Sequence, residues 1–204
     1  MDLNIISITY LFLRLAPFVL VCFFSLSSLL NQDFKGLVYL VGLIFACFIT
    51  IIFGNIIPSF IIPSFIAEER PEICNLWTIN HQGDFSKLPL SQTVFSYTLS
   101  YLLVPIIVKK LAKQNIPTLV FFPLLILFDI AWNIQNTCYT FPQLAAALIL
   151  GGGIGTAWGF IIYETKNHSF QYLVGPKNNE VCSKHTKQLF KCKTSTGKTV
   201  NILQ

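Results

Sequence analysis

The chain has 204 residues, of which 53% are hydrophobic and only 11% charged, with a net charge of +5 and a mean hydropathy of +0.63. Soluble domains carry roughly 25% charged residues, so this composition excludes a soluble globular domain and a disordered chain. Six cysteines are too few for a disulfide-built scaffold, and the length fits one domain. The composition predicts an all-α, polytopic membrane helix bundle.

Five apolar stretches stand close to the roughly 20 residues that cross a bilayer. The first runs from Ile5 to Leu30, with one charge at Arg14. It is too long for a signal-peptide core and has no basic region before it, so we read it as a retained span. The second runs from Leu37 to Ile66 without a charge, and Pro58 and Pro63 break its end into a short interfacial or re-entrant piece. The third runs from Pro89 to Val108, the fourth from Thr118 to Asn133 with Asp129 inside it, and the fifth from Leu144 to Tyr163. These form a transmembrane domain over 1–163, and 164–204 form a basic polar tail.

Lysine and arginine placement sets the orientation. With five spans, the 67–88 and 134–143 loops share a side with the N-terminus and carry only Arg70 and Lys87. The opposite side carries 11 lysines: Lys35, then Lys109, Lys110 and Lys113, then seven in the tail. The basic side is expected to be cytoplasmic and the two loops non-cytoplasmic. The positive charge is therefore a topology signal, and no nucleic-acid partner is expected.

The informative residues lie in those two loops. The first reads Glu68-Glu69-Arg70-Pro71-Glu72-Ile73-Cys74 and, after Lys87, enters the third span as Pro89-Leu90-Ser91-Gln92. The second reads Cys138-Tyr139-Thr140-Phe141-Pro142-Gln143 and opens the fifth span, where Gly151, Gly155 and Gly159 recur every four residues.

This order resembles the type 2 phosphatidic acid phosphatase family, membrane phosphatases related to the vanadium haloperoxidases. The family places three signatures on one membrane face: Lys with a later Arg-Pro, Pro-Ser-Gly-His at a helix start, and Arg, His and an acid or amide before a Gly-rich helix. In that chemistry Arg and Lys hold phosphate oxygens, the third-signature His attacks phosphorus, and the second-signature His protonates the leaving group. By this resemblance Arg70-Pro71 stands for the first signature, with no Lys before it. Pro89-Leu90-Ser91-Gln92 stands for the second, with Gln92 in place of the acid His. Tyr139 stands in place of the nucleophile, Gln143 in place of the group that orients it, and no Arg precedes them. The resemblance covers about residues 37 to 163 and lacks one span. Small members encoded by large DNA viruses are similar in carrying a Cys soon after Arg-Pro and another just before the third-signature His. Cys74 and Cys138 stand there, and on an oxidising side they are disulfide candidates.

The substitutions decide the expected chemistry. Gln92 gives up no proton at physiological pH, and Tyr139, with a reference pKa near 10, is a poor phosphorus nucleophile. Losing nucleophile and general acid together removes many orders of magnitude of rate. The expectation is a family fold without family catalysis, acting in lipid headgroup binding or as a structural membrane component. The alternatives are an active lipid phosphate phosphatase with unorthodox residues, an assembly scaffold acting through the basic tail, and a channel or transporter. A membrane of the endoplasmic reticulum type or a viral membrane is implied by the same resemblance.

Other residues carry both a functional and a plainer reading. Arg70 is either a headgroup ligand or an interfacial residue paired with its acidic neighbours. Arg14 and Asp129 are the intramembrane charges, and a structural pair between the first and fourth spans is favoured over a proton path. The glycine row permits close helix approach, as internal packing or as a homo-oligomer contact. His81 is a loop residue that would be the obvious substitute for a lost catalytic His.

In the tail, seven lysines face only Glu164 and Glu180, which suits an anionic leaflet or a protein partner. Thr196-Gly197-Lys198-Thr199 lacks the first glycine of a phosphate loop. His168, Cys182, His185 and Cys192 have irregular spacing for zinc, and neither a metal nor a cofactor is expected. Asn167-His168-Ser169 is a glycosylation sequence, though on the cytoplasmic side. Alternation between Leu189 and Ile202 suggests a hairpin.

Overall fold

The computed structural model describes residues 5–56, Cys74, 87–165, 190–193 and 199–202, the last two segments through their backbone. The chain divides into two compact units, Met1–Val174 and Gly175–Gln204. In the first unit the described elements are helical: α1 Ile5–Leu30, α2 Lys35–Ile56, α3 Leu90–Val108, α4 Ile116–Gln135 and α5 Phe141–Glu164, with a short 3-10 helix at Ala112–Gln114. All five α-helices are long and apolar enough to cross a membrane. At 1.5 Å per residue even α3, with 19 residues, matches a hydrocarbon core of roughly 30 Å. The second stretch ends as a helix at Ile56, and its expected broken end, 57–66, lies outside the described residues.

α1, α3 and α4 close in the same way. After α1, the N–H of Gln32 reaches the carbonyl of Leu29 and that of Asp33 reaches Ser28. After α3, Lys110 reaches Ile107 and Leu111 reaches Ile106; after α4, Thr137 reaches Ile134 and Cys138 reaches Asn133. This nested pair is the Schellman arrangement, which needs one left-handed residue. Here Gln32, Lys110 and Thr137 supply it, at φ 52°, 55° and 54°, where glycine is usual. The short links that follow are what antiparallel neighbouring helices require.

α3 is the central helix, with 67% of its apolar window buried against 24–33% for the other four. α5 packs directly on it. A Cβ on Gly151 would lie 2.6 Å from the carbonyl oxygen of Thr93, and one on Gly155 would lie 2.5 Å from that of Tyr97. One on Gly159 would lie 3.0 Å from Val104 Cγ2. The glycine row is thus filled from within the chain, the internal-packing reading of that row. Tyr39 of α2 packs its ring, tilted, against Phe24 and also against Tyr97 and Tyr101 of α3. Tyr39 Oη lies 2.7 Å from Thr98 Oγ1, and Tyr97 Oη donates to the Tyr39 carbonyl at 3.2 Å. Trp158 Nε1 donates to the Val38 carbonyl at 3.1 Å, tying α5 to α2. A Cβ on Gly42 would fall 2.5 Å from the Trp158 ring.

Buried hydroxyls are satisfied without water. Thr98 Oγ1 donates to Val94 O at 2.6 Å and Thr50 Oγ1 to Ala46 O at 2.8 Å. A polar side chain in an apolar interior needs such a partner. Outward faces are the reverse of a soluble protein's: Phe12, Phe18, Leu29, Ile44, Phe48, Leu127 and Ile149 are all exposed. Apolar surface this extensive fits hydrocarbon rather than water.

In the second unit, β1 Phe190–Lys193 pairs antiparallel with β2 Thr199–Ile202, with Phe190 opposite Ile202 and Lys193 opposite Thr199. The all-helical description therefore belongs to the described residues of the first unit. The tail carries the hairpin that its alternation suggests.

Candidate functional site

The start of α3, the end of α4 and the link to α5 meet at one end of the first unit. Ser91 sits in the first turn of α3, and its hydroxyl donates to the Asp129 carboxylate at 3.3 Å to Oδ2. Asp129 is buried, and Asn133, one turn on, donates from Nδ2 to the Asp129 carbonyl at 2.7 Å. The spacing of four puts both on one face of α4.

Cys138 follows the left-handed Thr137, and its N–H is fixed by the Asn133 carbonyl at 3.0 Å. A disulfide joins it to Cys74, with Cα atoms 5.7 Å apart. Cys22 and Cys47, on α1 and α2, are free. Tyr139 follows the disulfide. Leu13, Cys74, Ser91, Asp129, Trp132, Asn133, Cys138 and Tyr139 surround a cavity of about 20 Å³. That volume suffices for a single water.

The two glutamines behave differently. Gln143 is 2% exposed and caps α5: its Oε1 accepts from the Thr140 N–H at 2.8 Å and from Thr140 Oγ1 at 3.0 Å. Its Nε2 donates to the Lys87 carbonyl at 3.3 Å, joining the entries of α3 and α5. The pattern Thr-x-x-Gln is a capping box, a signal readable at 140–143 that the family comparison alone overlooks. Gln92 is fully buried, and both its amide atoms lack a hydrogen-bond partner among the described residues.

The structure thus brings Asp129, Tyr139 and the Cys74–Cys138 bridge around one cavity. Gln92 lies beside Ser91 in the chain, and Gln143 is held in the cap. Ser91, Trp132 and Asn133 also line the cavity; the Asp-x-x-x-Asn spacing was the available signal for the last. Arg14 adjoins Leu13 on α1, but its side chain lies outside the described residues, as do Arg70 and His81, so the expected Arg14–Asp129 pair is untested. Of the tail's candidate ligands, His168, Cys182 and His185 also lie outside them, and Cys192 is described as a backbone position opposite Val200. Among the described residues no group of three His, Cys, Asp or Glu side chains is placed to hold a metal ion. No protein-family model, curated protein or solved structure matches the chain.

Proposed function

We propose that this chain is a multi-pass membrane protein with a phosphatidic acid phosphatase-like bundle whose polar end site is not catalytic. In this reading it serves as a structural membrane component. The observation that carries it is the cavity itself: about 20 Å³, with the Asp129 carboxylate in its wall. A phosphate ester needs several times the space of one water and a surround of cationic donors. A buried carboxylate opposes such an anion. Tyr139 and Gln92 at the nucleophile and acid positions support the same reading, and Gln143, at the orienting position, is engaged as a helix cap. The small cavity favours a structural role over headgroup binding at this end.

The disulfide supports the orientation read from lysine placement. A bridge at the cavity end suits an oxidising compartment, while the lysine-bearing links lie at the opposite end of the helices. In this topology the 67–88 and 134–143 loops are non-cytoplasmic and the tail is cytoplasmic, in a membrane of the endoplasmic reticulum type or of a virus.

The test is inorganic phosphate release from a panel of lipid phosphates by the purified protein in detergent, beside Tyr139→Phe. No release above the detergent blank is the expected result. Release that disappears in Tyr139→Phe would mean the family chemistry persists with a changed nucleophile. A mobility shift between reducing and non-reducing gels, absent in Cys74→Ser, checks the bridge and with it the compartment.

A further inference from the structure

A second, larger hollow lies toward the other end of the bundle. It measures about 460 Å³ and is walled by Val19, Phe23 and Phe24 of α1, Leu102 of α3, and Thr118 and Phe121 of α4. That is the size of sites that take small ligands, and its lining is apolar apart from the Thr118 hydroxyl. Leu102 is six residues before the end of α3, about 9 Å at the helical rise. The hollow therefore reaches from mid-bundle toward the end where α3 stops and α4 starts.

That end is cationic. Lys109 caps α3, Lys110 follows it, and Lys113 lies in the 3-10 helix that leads to α4. No acidic residue occurs from 85 to 128. Among the described residues the acids at this end are Asp33 and Glu164, and Asp33 is held by Lys35 at 2.8 Å. α4 also begins here, and its N-cap Asn115 makes no side-chain cap; its amide donates back to Leu111 O at 3.0 Å. The positive end of the α4 dipole is thus left facing the same region. Partial burial lowers the Lys109 pKa, which fits a lysine at the edge of an apolar layer.

We infer that this hollow and the 109–113 lysines form a site for one anionic phospholipid of the basic-side leaflet, an acyl chain lying in the hollow and the phosphate against the lysines. Charge and depth agree: the cationic group sits at the end of the helices, and the apolar trough begins within one to two turns of it. The site rests on the membrane reading of the chain but not on the state of the Asp129 cavity. It lies at the opposite end.

The experiment is native mass spectrometry of the full chain, released from nanodiscs that contain equal phosphatidylglycerol and phosphatidylcholine. Wild type is expected to retain one phosphatidylglycerol in preference to phosphatidylcholine. Each surface lysine is worth roughly a few-fold in anionic lipid affinity. The triple variant K109Q/K110Q/K113Q should therefore lose the preference by at least about tenfold. Val19→Trp, which fills the hollow from an exposed position, should lower retention while leaving the lysines in place. Lys35→Gln, a lysine already paired with Asp33, should change little. Equal retention of both lipids, or a triple variant that matches wild type, would overturn the site. Release of wild type from membranes by alkaline carbonate would sink the membrane reading instead, so the two failures are told apart.

Discussion

The carbonyl oxygen of Tyr97 stands 2.5 Å from the place a Cβ would occupy on Gly155. α3 and α5 meet there backbone to backbone, and the contact repeats one turn away at Gly151 against Thr93. In an apolar interior, van der Waals packing of this kind is the main force holding helices together. A methyl group at Gly155 meets rigid main chain rather than a side chain that can swing aside. Gly155→Ala is therefore expected to destabilise the bundle by about 1–3 kcal/mol, as overpacking does. Gly153 is the internal control, because an added Cβ there meets nothing within 4 Å. Thermal midpoints in detergent should fall for Gly155→Ala and stay level or rise slightly for Gly153→Ala. Equal midpoints for the two would remove the close contact as the reason for the glycine row.

Gln92 offers a test of opposite sign. Its amide is fully buried without a partner among the described residues. An unsatisfied buried polar group costs about 1–3 kcal/mol. Methionine has a similar length and no such need. Gln92→Met is expected to raise the thermal midpoint. A fall would mean that water or the 75–86 segment satisfies the amide, and that the position matters for holding the cavity end together.

Much of this architecture is legible in the chain because the signals are local. The apolar runs give five helices, and their ends lie within a few residues of the charges and prolines that interrupt them. The Gly151, Gly155 and Gly159 period announces a close helix contact, although the sequence does not say with which partner. Thr140 and Gln143 spell a capping box three residues apart. What is not legible depends on distance along the chain. Tyr39 with Thr98, and Trp158 with Val38, are 59 and 120 residues apart. The trough beside Phe23 and Thr118 exists only because α1 and α4 leave a gap over α3. At the cavity end, residue order suggests a phosphatase-like arrangement, but volume and the Asp129 wall are properties of packing that no spacing encodes.

Thr137 carries backbone strain that a single change can relieve. It is β-branched, yet it holds φ 54° to complete the turn after α4. For such a residue the left-handed region is costly, on the order of 1–3 kcal/mol. Glycine adopts it freely but loses more chain entropy on folding. The net expectation for Thr137→Gly is a gain of about 1 kcal/mol. The readout is a higher thermal midpoint with the Cys74–Cys138 bridge still formed on a non-reducing gel. A midpoint below wild type would show that the Thr137 side chain contributes more than the turn costs.

The link between α1 and α2 provides a pH-dependent contribution at the other end of the bundle. Asp33 closes the α1 terminus: its N–H bonds Ser28 O, its backbone carbonyl accepts from Ser28 Oγ, and its carboxylate meets Lys35 Nζ at 2.8 Å. The Lys35 hydrogen bond is the largest influence on Asp33 and holds its pKa below the ordinary aspartate value, against a smaller opposing effect of burial. A carboxyl whose folded pKa is depressed binds its proton more readily in the unfolded chain. Its contribution is therefore fully present above the unfolded value, near pH 4, and is lost as pH falls through the lower folded value. The pair is partly exposed, its side chains 26% and 22% accessible, so solvent screening keeps the effect small. Thermal midpoints taken from pH 6 down to pH 3 should decline more steeply for wild type than for Asp33→Asn, with the two curves converging at the acid end. Raising salt at pH 6 should narrow the gap between them, because a pair at the surface of the link is partly screened. Parallel curves across the whole range would mean that the Asp33–Lys35 contact adds nothing to the fold and that the Schellman turn alone sets the end of α1.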